Sequence, residues 1–149
     1  MARTIRLEHR YDTDPDRVWA MAKDFSTLEQ MNSGSVAMRG LPVEPVREGE
    51  TITFEVKPFY ARSWKPYHVE MLEVNDAERR FVSLEYGAGV KTWRHTLTVE
   101  PDGYGARQVD EIAIDAGPMT WAVALLAQRM YRKRDPVRRR LLGLDARVA

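Results

Sequence analysis

The segment KTWRHTLTVEPDGYGARQVDEIAID, residues 91–115, decides the fold because it has the pattern of two strands joined by a tight turn. Polar and apolar residues alternate from Lys91 to Glu100 and again from Gln108 to Asp115, which is typical of strands with one buried face. Asp102-Gly103 lies between them and is a strong hairpin signal. The segment therefore predicts an antiparallel hairpin.

Five segments on the N-terminal side of this hairpin also have the character of strands. Residues 51–57 show it most clearly, because Ile52, Phe54 and Val56 share one face while threonines and a glutamate share the other. Together with the hairpin, these segments predict a largely antiparallel sheet. The five segments are Thr4–Tyr11, Gly34–Arg39, Thr51–Lys57, Trp64–Val74 and Arg80–Tyr86.

The inner face of the strand Trp64–Val74 is ambiguous. Two sets of apolar residues, offset by one position, compete for the buried side. A β-bulge within the strand would place members of both sets on the same face. The first set is Tyr67, Val69 and Met71, and the second is Trp64, Leu72 and Val74.

Two short helices are predicted after the first strand. Asp14 can cap a helix that has Pro15 at its first position and continues to about Asp24. Ser26 and Glu29 have the spacing of a capping box, which predicts a second helix that begins there and ends near residue 32.

The last element is a long helix that begins at Gly117-Pro118 and continues to about Leu142, with a kink expected at Pro136. Its apolar residues form one narrow stripe that should face the sheet, while Trp121 and Leu125 point roughly the opposite way. The stripe consists of Met119, Val123, Leu126, Met130, Val137 and Leu141.

Composition excludes several classes of protein. The 149 residues include 23 Lys and Arg against 22 Asp and Glu, and there is no cysteine. A disulfide scaffold and a cysteine-ligated zinc module are therefore excluded, and no apolar run approaches the roughly 20 residues of a membrane-spanning helix. No internal repeat or long linker interrupts residues 1–149, which predicts one domain. The first residues lack the pattern of a secretory signal, so a cytoplasmic location is expected.

Three motifs carry a resemblance to a known superfamily. They are Asp14-Pro15-Asp16-Arg17-Val18-Trp19 followed by Asp24-Phe25, Trp93-Arg94-His95 leading to Pro101-Asp102-Gly103, and Gly117-Pro118-Met119-Thr120-Trp121. With the order of elements, they resemble the START-like SRPBCC superfamily, in particular its polyketide cyclase/dehydrase-like bacterial members.

The resemblance implies an α+β helix-grip fold. In that fold a curved antiparallel sheet of about seven strands wraps around a long C-terminal helix, two short helices follow the first strand, and a hydrophobic ligand cavity lies between sheet and helix. Relatives often carry a tryptophan after the second helix and an uninterrupted last helix, whereas this chain has Met31-Asn32 and Pro136. The mouth of the cavity and the ligand are therefore expected to differ.

His95 and Asp110 are candidate catalytic residues, and their pairing depends on the hairpin loop. A two-residue loop at Asp102-Gly103 places Pro101 opposite Tyr104 and His95 opposite Asp110, whereas a four-residue loop places His95 opposite Ile112. A carboxylate beside an inward-facing imidazole can orient it for general acid/base chemistry. The alternative interpretation is a structural pair whose two members only satisfy each other's hydrogen bonds.

Aromatic residues are the strongest candidates for contact with a ligand. Alternation places several on inner faces, and two residues of the helix stripe join them. The sequence thus favours binding, carriage or sequestration of a hydrophobic small molecule such as a lipid, an isoprenoid or a polyketide-like compound. The alternative function is that of a polyketide cyclase/dehydrase-type enzyme using His95 and Asp110. The candidate ligand-binding residues are Phe54, Trp64, His68, Tyr86, Trp93, Met119 and Val123.

No metal or cofactor site is expected. The three histidines, His9, His68 and His95, lack the short spacings of a zinc site. The glycine pairs at residues 87–89 and 103–105 lack the Lys-Ser/Thr of a phosphate-binding loop and precede strands rather than helices.

Residues 129–147 form a basic C-terminal segment, with eight Lys and Arg against two Asp. We interpret it as a solvated helix end whose cations suit the helix dipole, and we expect no nucleic-acid partner. Exposed Trp121 and Leu125 beside these arginines would instead provide a peripheral membrane contact or a homodimer surface.

Overall fold

The computed structural model describes residues 2–144, so Arg147 of the basic segment lies outside the described residues. Every element predicted from the sequence is present, with ends shifted by no more than three residues. The strands are β1 Arg3–Tyr11, β2 Val36–Arg39, β3 Thr51–Pro58, β4 Lys65–Asn75, β5 Arg80–Gly87, β6 Val90–Asp102 and β7 Gly105–Asp115. The helices are α1 Pro15–Lys23, α2 Leu28–Met31 and α3 Thr120–Leu141, with 3-10 turns at Phe25–Thr27 and Gly117–Met119.

The strands form one curled antiparallel sheet of seven strands in the order β1-β7-β6-β5-β4-β3-β2. Strands β2 to β7 follow one another as a meander, and β1 pairs with β7 at the far side. Helix α3 lies across the concave face. This arrangement is the helix-grip fold, as the resemblance implied.

The β6–β7 hairpin has the register of the second alternative. Pro101 pairs with Ala106 and Asp102 with Gly105, so Gly103-Tyr104 forms the turn. The preferred register, with Pro101 opposite Tyr104, was therefore wrong. Gly103, with a φ of 59°, is the first residue of this turn, a position that favours glycine, so the two-residue turn lies one position further along the chain than expected.

Strand β4 contains the β-bulge that the competing apolar sets required. The pairing of β4 with β5 shifts between Met71 and Glu73. Before the bulge Tyr67, Val69 and Met71 face inward, and after it Val74 packs against the same core. The extra residue is taken up at the bulge, where Leu72 is exposed.

The first short helix has the predicted cap, but the second does not. The Asp14 carboxylate accepts from the Asp16 N–H at 2.7 Å ahead of α1. The capping box of Ser26 and Glu29 does not form, because Asp24 accepts from the Ser26 N–H at 3.1 Å and starts a 3-10 turn instead. Helix α2 then begins two residues later than expected.

The face of α3 that meets the sheet differs from the predicted stripe. Met119 and Leu126 are exposed, while small residues, one tyrosine and three arginines are buried. The prediction was wrong because hydrophobicity alone does not reveal arginines that are buried by hydrogen bonds and by stacking on tyrosine rings. The helix assignment continues through Pro136 without a break. The buried residues are Thr120, Ala124, Ala127, Tyr131, Arg134, Arg138 and Arg139.

The hydrophobic core is divided into two clusters. One packs α1 and the first 3-10 turn against strands β3 to β6, around Trp19, Phe25 and Phe81. The other packs α3 against β1 and β7, around Ile112 and Tyr131. The space between the two clusters is the site described next.

Candidate functional site

A cavity of about 750 Å³ lies between the concave face of the sheet and α3. The sheet supplies an apolar wall, and α3 supplies Val123, Leu126 and Met130 of the predicted stripe, which border the cavity. This volume lies within the range of about 300–1,000 Å³ that is usual for small-molecule sites. Apolar lining residues include Phe54, Val56, Val69, Phe81, Leu97, Val123, Leu126 and Met130.

The cavity is open at one end and closed at the other. Phe59, in the β3–β4 connection, is 69% exposed, and Met119, just before α3, is 55% exposed, and both line the cavity. Gln108 and Arg138, which also line it, are 1% and 4% exposed. Met119 and Arg138 are separated by 19 residues of chain, which corresponds to roughly 28 Å along a helix.

His95 and Asp110 are in contact within this site. His95 Nε2 lies 2.7 Å from Asp110 Oδ1, and both side chains are almost fully buried. His95 pairs with Ile112 and Leu97 pairs with Asp110, so the contact is diagonal across β6 and β7. A diagonal neighbour on the same face is within reach of a histidine, and the two residues therefore meet although the register differs from the preferred one.

The environment of Asp110 holds it ionised. Burial raises the pKa of the Asp110 carboxyl, but hydrogen bonding to His95 and Gln108 and the positive charge of Arg138 outweigh this and lower that pKa from 3.8 to about 2. Gln108 Nε2 donates to Asp110 Oδ2 at 3.0 Å, so both carboxylate oxygens have a partner. Asp110 can therefore orient His95 across the physiological pH range.

The other ring nitrogen of His95 faces further polar groups. His95 Nδ1 lies 3.5 Å from Tyr131 Oη and 4.0 Å from Glu85 Oε2. Tyr67 Oη and Ser83 Oγ donate to Glu85 at 2.9 and 3.0 Å. Burial and the neighbouring Glu85 charge raise the pKa of the Tyr67 hydroxyl well above 10.0, so it is a neutral donor. The imidazole thus lies between the carboxylates of Asp110 and Glu85.

Three arginines of the basic segment are buried, so the interpretation of that segment as a solvated helix end was wrong for them. Arg134 Nε donates to Asn32 Oδ1 at 2.9 Å, and its guanidinium lies 3.9 Å from the centre of the Tyr131 ring. Arg138 Nη1 donates to Tyr11 Oη at 2.6 Å. Arg139 Nη2 donates to the Arg10 carbonyl at 2.6 Å. Arg134 and Arg138 also line the cavity.

Four of the seven candidate ligand-binding residues line the cavity. Phe54 and Trp93 do so from the sheet, and Met119 and Val123 from the helical side. These positions agree with the alternation of β3 and β6 and with the cavity-facing stripe of α3.

The other three lie on the outer face of the sheet. The Trp64 ring stacks with Arg39 at 4.1 Å, and His68 Nδ1 lies 2.9 Å from Thr53 Oγ1. The Tyr86 ring contacts the His68 ring at 5.1 Å. The placement of Tyr86 on the inner face was therefore wrong, and Trp64 and His68, whose face the sequence left open, lie outside. In β4 the bulge determines which residues face inward. In β5 the inward-facing residues near Tyr86 are the polar Ser83 and Glu85, so the pattern of apolar residues predicts the wrong inner face.

Sequence reasoning missed several polar residues of the site. Tyr67, Glu85 and Gln108 on the strands and Tyr131 on α3 were not selected, because single polar residues are more often exposed. One signal was available for Gln108, since it precedes Asp110 by two positions in β7 and must share its face.

Within residues 2–144, no helix has the length and apolar character needed to cross a membrane. The same residues contain no group of three or more His, Cys, Asp or Glu side chains arranged to hold a metal ion.

Comparison with known proteins agrees with this geometry. A family model described as polyketide cyclase / dehydrase and lipid transport matches residues 2–149. The chain belongs to this family. A search of curated proteins found no match.

Solved structures share the fold. Protein CV1439 from Chromobacterium violaceum is 21% identical with a TM-score of 0.69, over 89% of this chain and 94% of that one. Ara h 8.0201 is 8% identical with a TM-score of 0.64, over 93% and 98%. Truncated norcoclaurine synthase from Thalictrum flavum is 13% identical with a TM-score of 0.62, over 97% and 96%. At these identities the likeness concerns the fold.

Proposed function

We propose that this family member binds a hydrophobic small molecule, such as a lipid, an isoprenoid or a polyketide-like compound, and carries or sequesters it. The observation that supports this most strongly is the position of Val123, Leu126 and Met130. These side chains line a cavity of about 750 Å³, although Val123 and Met130 also pack at the edge of the core between α3 and the sheet. Apolar surface that faces a cavity gains roughly 25 cal/mol for each Å² that a ligand removes from water.

The shape of the cavity supports the same function. Its mouth carries exposed aromatic and aliphatic side chains, namely Phe59, Tyr60 and Met119, and its walls are apolar along β3, β4 and β6. A hydrophobic molecule entering at this end would meet apolar surface throughout the first part of its path. Burial of the apolar surface of the ligand therefore supplies most of the binding affinity.

The test is titration with N-phenyl-1-naphthylamine, a neutral dye that fluoresces in apolar sites. The wild-type protein should bind it, and Val123→Trp, which fills part of the cavity, should weaken binding about tenfold or more, equivalent to about 1.4 kcal/mol. Leu125→Trp is the matched control, because Leu125 is exposed two positions further along the helix. Equal affinity of both variants, or absence of dye binding to wild type, would contradict the proposal.

A second candidate function is catalysis of proton transfer at a carbonyl compound, as in a polyketide cyclase or dehydrase. The contact of 2.7 Å between His95 Nε2 and Asp110 Oδ1 supports it, because His95 lines the cavity and its Nδ1 has only long contacts, to Tyr131 Oη at 3.5 Å and Glu85 Oε2 at 4.0 Å. In this mechanism Nδ1 removes a proton from the carbon next to the carbonyl and returns it to the product. Asp110 stabilises the imidazolium that forms in between.

Deuterium exchange at the carbons next to the carbonyl of 2-tetralone, followed by NMR, tests this candidate. Wild type should accelerate exchange, and His95→Gln should abolish the acceleration while dye affinity stays within about twofold, a difference of about 0.4 kcal/mol. His68→Gln is the matched control on the outer face. An unchanged exchange rate in His95→Gln would eliminate the enzymatic role of this histidine.

The proposal also includes the surface for loading the ligand and the location of the protein. Trp121 and Leu125 are 57% and 51% exposed, next to the mouth residue Met119. If this patch contacts membranes, the wild-type protein should co-sediment with anionic vesicles, and Trp121→Ala or Arg132→Glu should reduce the bound fraction. Failure of the wild type to sediment would eliminate the membrane contact. A homodimer through the same patch would be detected by sedimentation velocity. A cytoplasmic location stays a prediction, which cell fractionation tests.

A further inference from the structure

The closed end of the cavity contains two buried cations that line an otherwise apolar space. Arg134 and Arg138 are four residues apart on α3, so they lie on the same face of the helix. They are 8% and 4% exposed. Buried guanidinium groups are normally paired with an anion, because burial of an unpaired charge is costly.

Within residues 2–144, neither guanidinium has a carboxylate partner at ion-pair distance. The described hydrogen bonds of Arg134 and Arg138 are to the neutral side chains of Asn32 and Tyr11. The charges of Asp110 and Asp135 favour the buried cation of Arg138, but their direct bonds are to other groups, Asp110 to His95 and Gln108 and Asp135 to Arg139. Neither guanidinium is therefore held in a direct ion pair, and both line the cavity, where a ligand can contact them.

Gln108 provides an independent indication of a bound polar group. Its Nε2 donates to Asp110, which fixes the amide orientation, and its Oε1 is buried without a hydrogen-bond partner in the described structure. Gln108 lines the cavity. It lies at the same end as Arg138, because Arg138 donates to Tyr11, which pairs with Ala106 only two positions before Gln108. A hydroxyl group of a ligand would satisfy this acceptor.

We infer that the closed end of the cavity recognises the head of an amphipathic hydroxycarboxylic acid, with the carboxylate at Arg138 and Arg134 and a nearby hydroxyl donating to Gln108 Oε1. This inference rests on the proposed function and adds the chemical class of the ligand. The hydrocarbon part lies along the apolar wall toward Met119 and Phe59. Arginine suits this role because its planar fork of donors matches the two oxygens of a carboxylate.

Three ligands with the same chain separate the contributions of charge, hydroxyl and hydrocarbon. Hexadecanoic acid, its methyl ester and 3-hydroxyhexadecanoic acid are each used to displace N-phenyl-1-naphthylamine at pH 7.5. The acid should bind about tenfold or more tightly than the ester, because the ester offers no anion to the arginines. The hydroxy acid should bind more tightly than the acid by a further factor of about threefold.

Variants then locate these differences. Arg138→Met should remove most of the preference for acid over ester, measured as the ratio of the two affinities, and Arg138→Lys should restore part of this ratio. Arg132→Met, an exposed arginine of the same helix, is the control and should keep the preference. Gln108→Leu should remove only the advantage of the hydroxy acid.

The outcomes distinguish this inference from the proposed function. Equal affinities of wild type for acid and ester would overturn the inference and leave the hydrophobic cavity intact, whereas failure of the dye to bind would overturn both. Circular dichroism and ester binding show whether Arg138→Met is folded, and if it is not, Arg134→Met is measured in its place. A preference for the acid that persists in a folded arginine variant would also overturn the assignment.

Discussion

Substitution of Asp110 by asparagine should change how the stability of the protein depends on pH. The Asp110 carboxylate is 1% exposed and bonded to His95 and Gln108, and its pKa falls from 3.8 to about 2 in the folded protein. Because the folded pKa is the lower one, ionisation of Asp110 stabilises the fold above pH 3.8 and this contribution is lost as the pH falls toward 2.

The magnitude follows from the shift in pKa. A difference of nearly two pKa units corresponds to about 2 kcal/mol at pH 7, of which about 1 kcal/mol is lost by pH 3. Asp110→Asn lacks this titration. The difference in unfolding free energy between wild type and Asp110→Asn should therefore be about 1 kcal/mol smaller at pH 3 than at pH 7.

Urea unfolding monitored by tryptophan fluorescence at pH 3, 4, 5 and 7 measures this difference. Asp12→Asn serves as the control, because the Asp12 side chain is 81% exposed and its substitution should leave the pH dependence of wild type unchanged. If the unfolding free energies of wild type and Asp110→Asn fall in parallel between pH 7 and 3, His95, Gln108 and Arg138 do not lower the pKa of Asp110.

Two further substitutions test the faces and the turn. Phe54→Ala should weaken binding of N-phenyl-1-naphthylamine, because Phe54 lines the cavity. Trp64→Ala should leave the affinity for this dye unchanged, because Trp64 lies on the outer face of the sheet. Comparable losses of dye affinity in the two variants would contradict this placement. Gly105→Ala should lower the unfolding free energy by about 1–3 kcal/mol in urea titrations, because the added Cβ would lie 2.4 Å from the Tyr11 carbonyl oxygen. A variant as stable as wild type would show that β1 can move away from β7 at this point.

The fold could be predicted from the sequence because alternation and turn residues agree along most of the chain. The hairpin of β6 and β7 shows the limit of such reasoning. A two-residue turn was expected, but a shift of one position along the chain changes every partner, and both Asp102-Gly103 and Gly103-Tyr104 place glycine within the turn.

The candidate site was less predictable because it depends on polar residues on inner faces. Alternation on β5 assigned Tyr86 to the inside, whereas Ser83 and Glu85 occupy that face. Ser83 donates to Glu85, and Glu85 also accepts from Tyr67 on β4. The burial of Arg138 likewise depends on Tyr11, which is 127 residues away in the chain. Contacts of this kind are set by the tertiary structure and leave little trace in local sequence patterns.

The uneven attachment of α3 has a consequence for hydrogen exchange. Side-chain hydrogen bonds of Arg134, Arg138 and Arg139 fix its second half to the rest of the protein, whereas Val123 and Leu126 in its first half border empty space. Local opening is easiest where few contacts must be broken. Backbone amides in the first half of α3 should therefore exchange with deuterium faster than those in the second half, and a bound molecule should slow them most, since it supplies the contacts that this half lacks.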